Sequence, residues 1–164
     1  MKYWYDTEFI EDGKTIELIS IGIVAEDGRE LYAENSEADL SRADGWVKEN
    51  VIAHLQRTSN VLATREEIKH ALVGFFSPLH FGKPEFWGYY SAYDHVALCQ
   101  LFGKMIALPK GWPMYTRDIK QWADQLGDPQ LPKQEGAEHH ALADAHWNRQ
   151  AWEFLDSIGR PVSA

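Results

Sequence analysis

The chain has 164 residues, 45% apolar and 25% charged, the balance of one ordinary globular domain able to bury a substantial core. Its single cysteine, Cys99, excludes an internal disulfide and suits a reducing compartment, and no run approaches the ~20 apolar residues of a membrane helix. The formal charge of -9 argues against a broad basic face for long duplexes, yet leaves room for an enzyme that grips a short or single-stranded nucleic acid through few phosphates.

Lys2 to Ile10 is rich in strand formers (Tyr3, Trp4, Tyr5) and predicts a first strand. Asp-Gly turns at 11–14 and 26–29 flank an apolar second strand over Thr15–Ala25, and a short third strand follows over Glu30–Ala33. Three strands joined by two tight turns make an antiparallel meander. Ser41–Leu55 carries Trp46, Val47, Val51, Ile52 and Leu55 at helical spacing. Thr64 to Glu67 reads as a capping box opening a second helix that should end before Pro78. Glu85–Tyr90 predicts a strand, Asp94–Phe102 a helix, Thr116–Leu126 another helix, and His139–Ile158 a last one after a polar loop over 128–138. The sum is a mixed α/β layer fold in one domain over 1–158, with a short tail at 159–164. With no charged-then-apolar leader after Met1, the expected location is the cytoplasm.

Three acidic stations stand out in chain order. Asp6 and Glu8, two apart in a strand, point to the same face. Side-by-side carboxylates repel unless a cation lies between them, and hard oxygens suit Mg2+ or Mn2+. Asp94 opens a helix just after a strand, where an acid can also serve as a simple cap. Asp144 lies five residues after His139 and four after His140 near the start of the last helix. Taken alone, Asp144 could lie on an exposed stripe, and the His139–His140 pair could be solvated or could gather zinc together with Asp144 and His146.

The motifs Tyr5-Asp6-Thr7-Glu8-Phe9, Ala92-Tyr93-Asp94-His95-Val96-Ala97-Leu98 and His139-His140-Ala141-Leu142-Ala143-Asp144-Ala145 resemble those of the DEDD superfamily of 3'-5' exonucleases, histidine subclass. Most of residues 1–150, including YDTEFIEDG, TIELISIG, VAEDGRE and AYDHVALCQL, is similar to the ribonuclease AS family of actinobacterial polyadenylate-specific 3'-exoribonucleases. The resemblance implies a ribonuclease H-like fold, a mixed sheet with the three-strand meander flanked by helices. It implies that Asp6, Glu8, Asp94 and Asp144 hold two Mg2+ ions, for which Mn2+ can substitute, and that His139 is the general base. The five-residue spacing to Asp144 favours His139, leaving His140 turned to solvent. Thr7, Glu8, Phe9, Tyr93 and His139 are then the substrate contacts, with Glu8 placed to read a 2'-hydroxyl. Many relatives in the superfamily carry Asn four residues before the second aspartate, where this chain has Tyr90.

The implied reaction removes nucleoside 5'-monophosphates from single-stranded or overhanging RNA 3' ends, adenosine-rich ones among them. Two divalent ions activate the water and stabilise the leaving 3'-oxygen. An exodeoxyribonuclease with the same site, a non-catalytic RNA-binding module and a zinc hydrolase are the alternatives. Trp112, Trp122, Trp147 and Trp152 fit either a homodimer interface or burial within the monomer, and a homodimer is the expectation.

Overall fold

The computed structural model describes residues 1–76, 82–135 and 138–159. Strand β1 (Lys2–Glu11) sends Tyr3 and Tyr5 to one layer of the core and Trp4 to the opposite one, as the two-residue period of a strand dictates. Strands β2 (Ile16–Ala25) and β3 (Glu30–Asn35) complete the antiparallel meander. Their register sets Asp6 opposite Gly22 and Glu8 opposite Ser20, then Gly22 opposite Tyr32 and Ser20 opposite Glu34. Strands β4 (Leu62–Ala63), β5 (Glu85–Gly88) and β6 (Arg117–Asp118) add parallel pairings, giving the order β4-β3-β2-β1-β5-β6. β1 keeps β5 as a neighbour only from Lys2 to Trp4.

Helices α2 (Arg65–Phe76) and α3 (Ala92–Leu101) cover one face, where Ile68, Leu72, Phe76, Leu98 and Leu101 pack on Tyr3, Tyr5, Ile21, Ile23 and Phe86. Helices α4 (Ile119–Gln125) and α5 (Ala141–Gly159) cover the other, around Trp4, Ile119, Ala151 and Leu155. At about 1.5–3 kcal/mol per fully buried large apolar side chain, these two layers supply most of the drive to fold. A third, smaller cluster of Ile10, Ile19, Ala43 and Val51 lies under α1 (Gly45–Asn50). Trp122, Trp147 and Trp152 pack into the layer around Trp4, and Trp112 packs against the other layer, so all four are used within the monomer. Among the described residues no helix is long and apolar enough to cross a membrane.

The structure departs from the sequence expectations where short-range chemistry outweighs periodicity. The helix expected over 41–55 is three pieces: a 3-10 turn at Leu40–Arg42, α1, and a 3-10 turn at Ile52–His54. Asp39 and Asp44 each cap a new start, Asp44 by accepting the Val47 N–H at 2.8 Å, and capped starts break the run. The helix expected over 116–126 starts only at Ile119, because Arg117 and Asp118 pair with β5 and Asp118 then caps α4 through the Gln121 N–H at 3.1 Å. The strand expected over 85–90 stops at Gly88, and Tyr90 adopts a left-handed backbone (φ 52°). The last helix begins at Ala141, leaving His139 outside it with φ 63°. The capping box at the start of α2 is as expected: the Thr64 N–H donates to Glu67 Oε2 at 2.7 Å, and the Glu67 N–H donates to Thr64 Oγ1 at 3.3 Å. Pro78 and the tail from 160 lie outside the described residues.

Two residues fix α5 on the sheet. A Cβ at Gly22 would fall 2.2 Å from Leu142 N and 2.3 Å from the Ala141 carbonyl carbon, so only glycine lets the start of α5 rest on β2. Two turns along the helix the fully buried Asn148 donates from Nδ2 to the Tyr5 carbonyl at 3.0 Å. That carbonyl lies just past the last β5 partner and would otherwise be buried without a donor. Gly22→Ala is expected to destabilise the fold by about 1–3 kcal/mol through overpacking. Asn148→Leu is expected to cost a similar ~1–3 kcal/mol through the orphaned carbonyl. Thermal unfolding checks both, and an unchanged midpoint for Gly22→Ala would mean that α5 does not rest on the β2 backbone.

Candidate active site

The three acidic stations converge. The ligand oxygens of Asp6, Glu8 and Asp144 lie within 4.8 Å of one another, on the face where α5 crosses β1 and β2. Asp6 and Glu8 owe this to the strand period, and Asp144 to the first turn of α5, held in place by Gly22. Asp94 lies in the first turn of α3 and is 6% exposed. Its Oδ1 accepts the Thr7 N–H at 2.8 Å and the Thr7 hydroxyl at 2.7 Å, and its carboxylate also accepts its own backbone N–H in the first turn. Asp94 thus cross-links the start of α3 to the open edge of β1.

Burial raises the proton affinity of all four carboxylates, and for Asp6 and Glu8 the neighbouring acids add to it. Burial pushes Asp6 well above the usual carboxylate range, and the charges of Asp94, Glu8 and Asp144 add to it. Burial, then Asp144, lifts Glu8 to about 8. Asp94 rises to about 6 through burial, with the two Thr7 hydrogen bonds holding it down. Burial raises Asp144 too, opposed by the hydrogen bond it accepts from Gln134 Nε2. No lysine or arginine lines this cleft among the described residues. A cluster of hard oxygens with raised proton affinity and no protein cation is what a divalent ion would neutralise.

The surrounding cleft, about 410 Å³, is walled by Thr7, Phe9, Trp46, Val47, Val51, Tyr89, Tyr90 and His139. His139 reaches it beside Asp144, its ring edge-on to the half-exposed Trp46 with centroids 4.7 Å apart. His140 does not turn to solvent: it is half-buried and stacks on Tyr32 of β3 at 4.5 Å and 22°. The zinc set is not assembled either, since His146 pairs with Glu30 at 3.0 Å while Asp144 faces Asp6 and Glu8. Phe9 lines the cleft, and Tyr93 meets Phe9 edge-on at 5.8 Å from outside it, 50% exposed.

Trp46, Gln134, Tyr89 and Tyr90 were not singled out as site residues by sequence reasoning. Gln134 sits in a loop pinned to α5 by the Trp147 Nε1–H donated to the Pro132 carbonyl at 2.9 Å, a contact with no local sequence signal. Tyr90 had one, since the superfamily resemblance implies Asn there in many members, and the structure leaves it 65% exposed in the cleft with its ring 4.6 Å from that of Tyr89.

The family described as the 3'-5' exoribonuclease Rv2179c-like domain matches residues 1–155. The sequence is 48% identical over 158 residues to the 3'-5' exoribonuclease Rv2179c of Mycobacterium tuberculosis strain ATCC 25618 / H37Rv, covering 96% of this chain and 94% of that one. The 3'-5' exoribonuclease MT2234.1 of strain CDC 1551 / Oshkosh matches to the same extent. A chain from a solved structure of 3'-end-specific recognition of a histone mRNA stem-loop by 3'-exonuclease superposes with a TM-score of 0.59 at 13% identity. That match covers 95% of this chain and 63% of the solved one. At this identity the likeness is one of fold, the ribonuclease H-like arrangement.

The acid cluster sets the pH dependence of stability in the metal-free protein. Glu8 moves from 4.5 to about 8 and Asp94 from 3.8 to about 6 on folding, so the folded state holds more protons than the unfolded state between these values. Their stability contribution is intact below the unfolded values and declines as pH rises through the folded ones. With EDTA present the unfolding midpoint is expected to fall from pH 5 to pH 8.5, and Mn2+ is expected to raise it most at the alkaline end. Glu8→Gln should flatten that slope; an equally steep slope in the variant would show that other groups set it.

Proposed function

The chain belongs to the Rv2179c-like 3'-5' exoribonuclease domain family and is a 3'-5' exoribonuclease; from that premise we propose that it uses two divalent ions, Mg2+ or Mn2+, to release nucleoside 5'-monophosphates from single-stranded or overhanging RNA 3' ends. The observation that carries the metal reading is the convergence of Asp6, Glu8 and Asp144 within 4.8 Å, without a protein cation among the described cleft residues. Asp6, Glu8 and Asp144 would hold one ion, and Asp6 with Asp94 would hold the other, since Asp94 is the charge that most raises Asp6. When bound, the ions supply Lewis acidity to the phosphate and to the attacking and leaving oxygens.

His139 is the proposed general base. It stands at the cleft wall beside Asp144, outside the helix and free of the helical ladder, so its ring can take a proton from a water attacking phosphorus. Glu8 faces the terminal ribose as the acceptor available to a 2'-hydroxyl, Thr7 lines the same cleft with its hydroxyl committed to Asp94, and Phe9 with Trp46 forms apolar walls for a base. Tyr93 contributes through Phe9, whose ring it braces. The preference for adenosine-rich ends, a cytoplasmic location and assembly as a homodimer complete the proposal. The monomer uses its core tryptophans internally, so a dimer would rest on other surfaces.

A 5'-labelled oligo(A) RNA and its DNA counterpart, with Mg2+, Mn2+ or EDTA, test this reading. Asp6→Ala is expected to abolish shortening from the 3' end, and His139→Ala to slow it about 10²–10⁴-fold, the range for loss of a general base. Metal-independent shortening would sink the two-ion reading, and equal rates on RNA and DNA would remove the 2'-hydroxyl contact. Sedimentation of the purified protein as a monomer at micromolar concentration would remove the dimer.

A further inference from the structure

Behind the acid cluster, one strand further from it, lies a second polar construction that the chemistry above does not use. Tyr32 and Glu34 of β3 share a sheet face with Asp6 and Glu8, related through the register partners Gly22 and Ser20. The start of α5 rests on Gly22, between these two pairs. His139 and His140 leave that point on opposite sides: His139 joins the cleft, and His140 lies flat on Tyr32 at 4.5 Å and 22°. The Tyr32 hydroxyl donates to Glu34 Oε1 at 2.9 Å.

Glu34 has no solvent exposure, and no ion pair reaches it among the described residues. Its Oε1 also accepts the Gln56 N–H at 2.6 Å and its Oε2 accepts the Arg57 N–H at 2.9 Å. Arg57 is held in a left-handed backbone, φ 50°. The Gln56–Arg57 segment follows α1 and the turn at Ile52–His54, and α1 carries Trp46, whose ring meets His139. One buried carboxylate thus joins both elements that bear on His139, through Tyr32 and His140 on one side and through the backbone leading to Trp46 on the other. A buried carboxyl bonded, among the described residues, to two backbone amides and one hydroxyl is costly to place, and it fixes the geometry of everything bonded to it.

We propose that Tyr32 and Glu34 are positioning residues for the general base: they hold His140 and the 56–57 segment so that His139 keeps its left-handed backbone and its ring stays against Trp46. This rests on the assignment of His139 as base. His140, adjacent to the base and carrying no catalytic role, is the lever through which Tyr32 acts.

Coupling to His139 separates positioning from a merely structural role. Steady-state kinetics on oligo(A) RNA with Mn2+ would compare Tyr32→Leu, Tyr32→Phe, Glu34→Gln and His139→Ala, together with Tyr32→Leu and Glu34→Gln each in the His139→Ala background. Tyr32→Leu is expected to lower kcat roughly 10–100-fold with KM within about threefold, as for an ångström-scale misplacement. Tyr32→Phe keeps the ring stack but cuts the bond to Glu34, and its kcat should fall between those of the wild type and Tyr32→Leu. In the His139→Ala background both substitutions should change kcat less than about twofold, because the group they position is gone. Multiplicative losses in that background, or a kcat unaffected by both Tyr32→Leu and Glu34→Gln, overturn the positioning role while leaving the base in place. A normal kcat for His139→Ala overturns the base assignment itself, and this role with it. Glu34→Gln, nearly isosteric, carries the test if Tyr32→Leu does not fold; circular dichroism establishes folding for each variant.

Discussion

Strand β1 loses its parallel neighbour after Trp4, and the rest of the site follows from that. Backbone groups in a buried strand need partners, and past Trp4 no strand among the described residues supplies them on that side. Asn148 of α5 takes the Tyr5 carbonyl, and Asp94 of α3 takes the Thr7 amide. Two helices far apart in sequence are thereby drawn to the stretch of β1 that carries Asp6 and Glu8. The open edge leaves space for a substrate, and the same hydrogen bonds that close its ends bring in the third and fourth carboxylates.

The arrangement works against electrostatic ease. Asp6, Glu8 and Asp144 share a small volume, and burial raises all three toward neutrality. Such a cluster stores repulsion that packing elsewhere must offset, chiefly the aromatic layer of Tyr3, Phe76 and Phe86 on one face and the Trp4 layer on the other. On the proposed two-ion reading, divalent cations would relieve the repulsion and so couple fold stability to readiness for phosphodiester hydrolysis through the same four side chains.

The sequence was legible where one rule acts locally. The spacing of Asp6 and Glu8 needs only the strand period, the α2 start only a capping box, and the meander only two Asp-Gly turns. The choice of His139 over His140 rested on spacing, and the structure puts the two rings on opposite sides of the helix start. What was not legible depends on tertiary partners. β6 is two residues that look helical until β5 pairs with them, and the break before α1 comes from competing aspartate caps. Gln134 reaches Asp144 only because Trp147 anchors its loop, and Glu34 reads as an ordinary strand-end acid until Gln56 and Arg57 fold over it. Tyr90 was visible as a departure from the superfamily pattern, but not as a left-handed, exposed wall of the cleft.

The seating of α5 on Gly22 has a consequence for the time at which the nuclease comes into being. Asp6 belongs to the first strand, Asp144 to the last helix, and the contact that unites them is made through β2. No fragment lacking α5 brings Asp144 to Asp6 and Glu8, so the acid cluster exists only once the last helix to be synthesised has docked on the first strands.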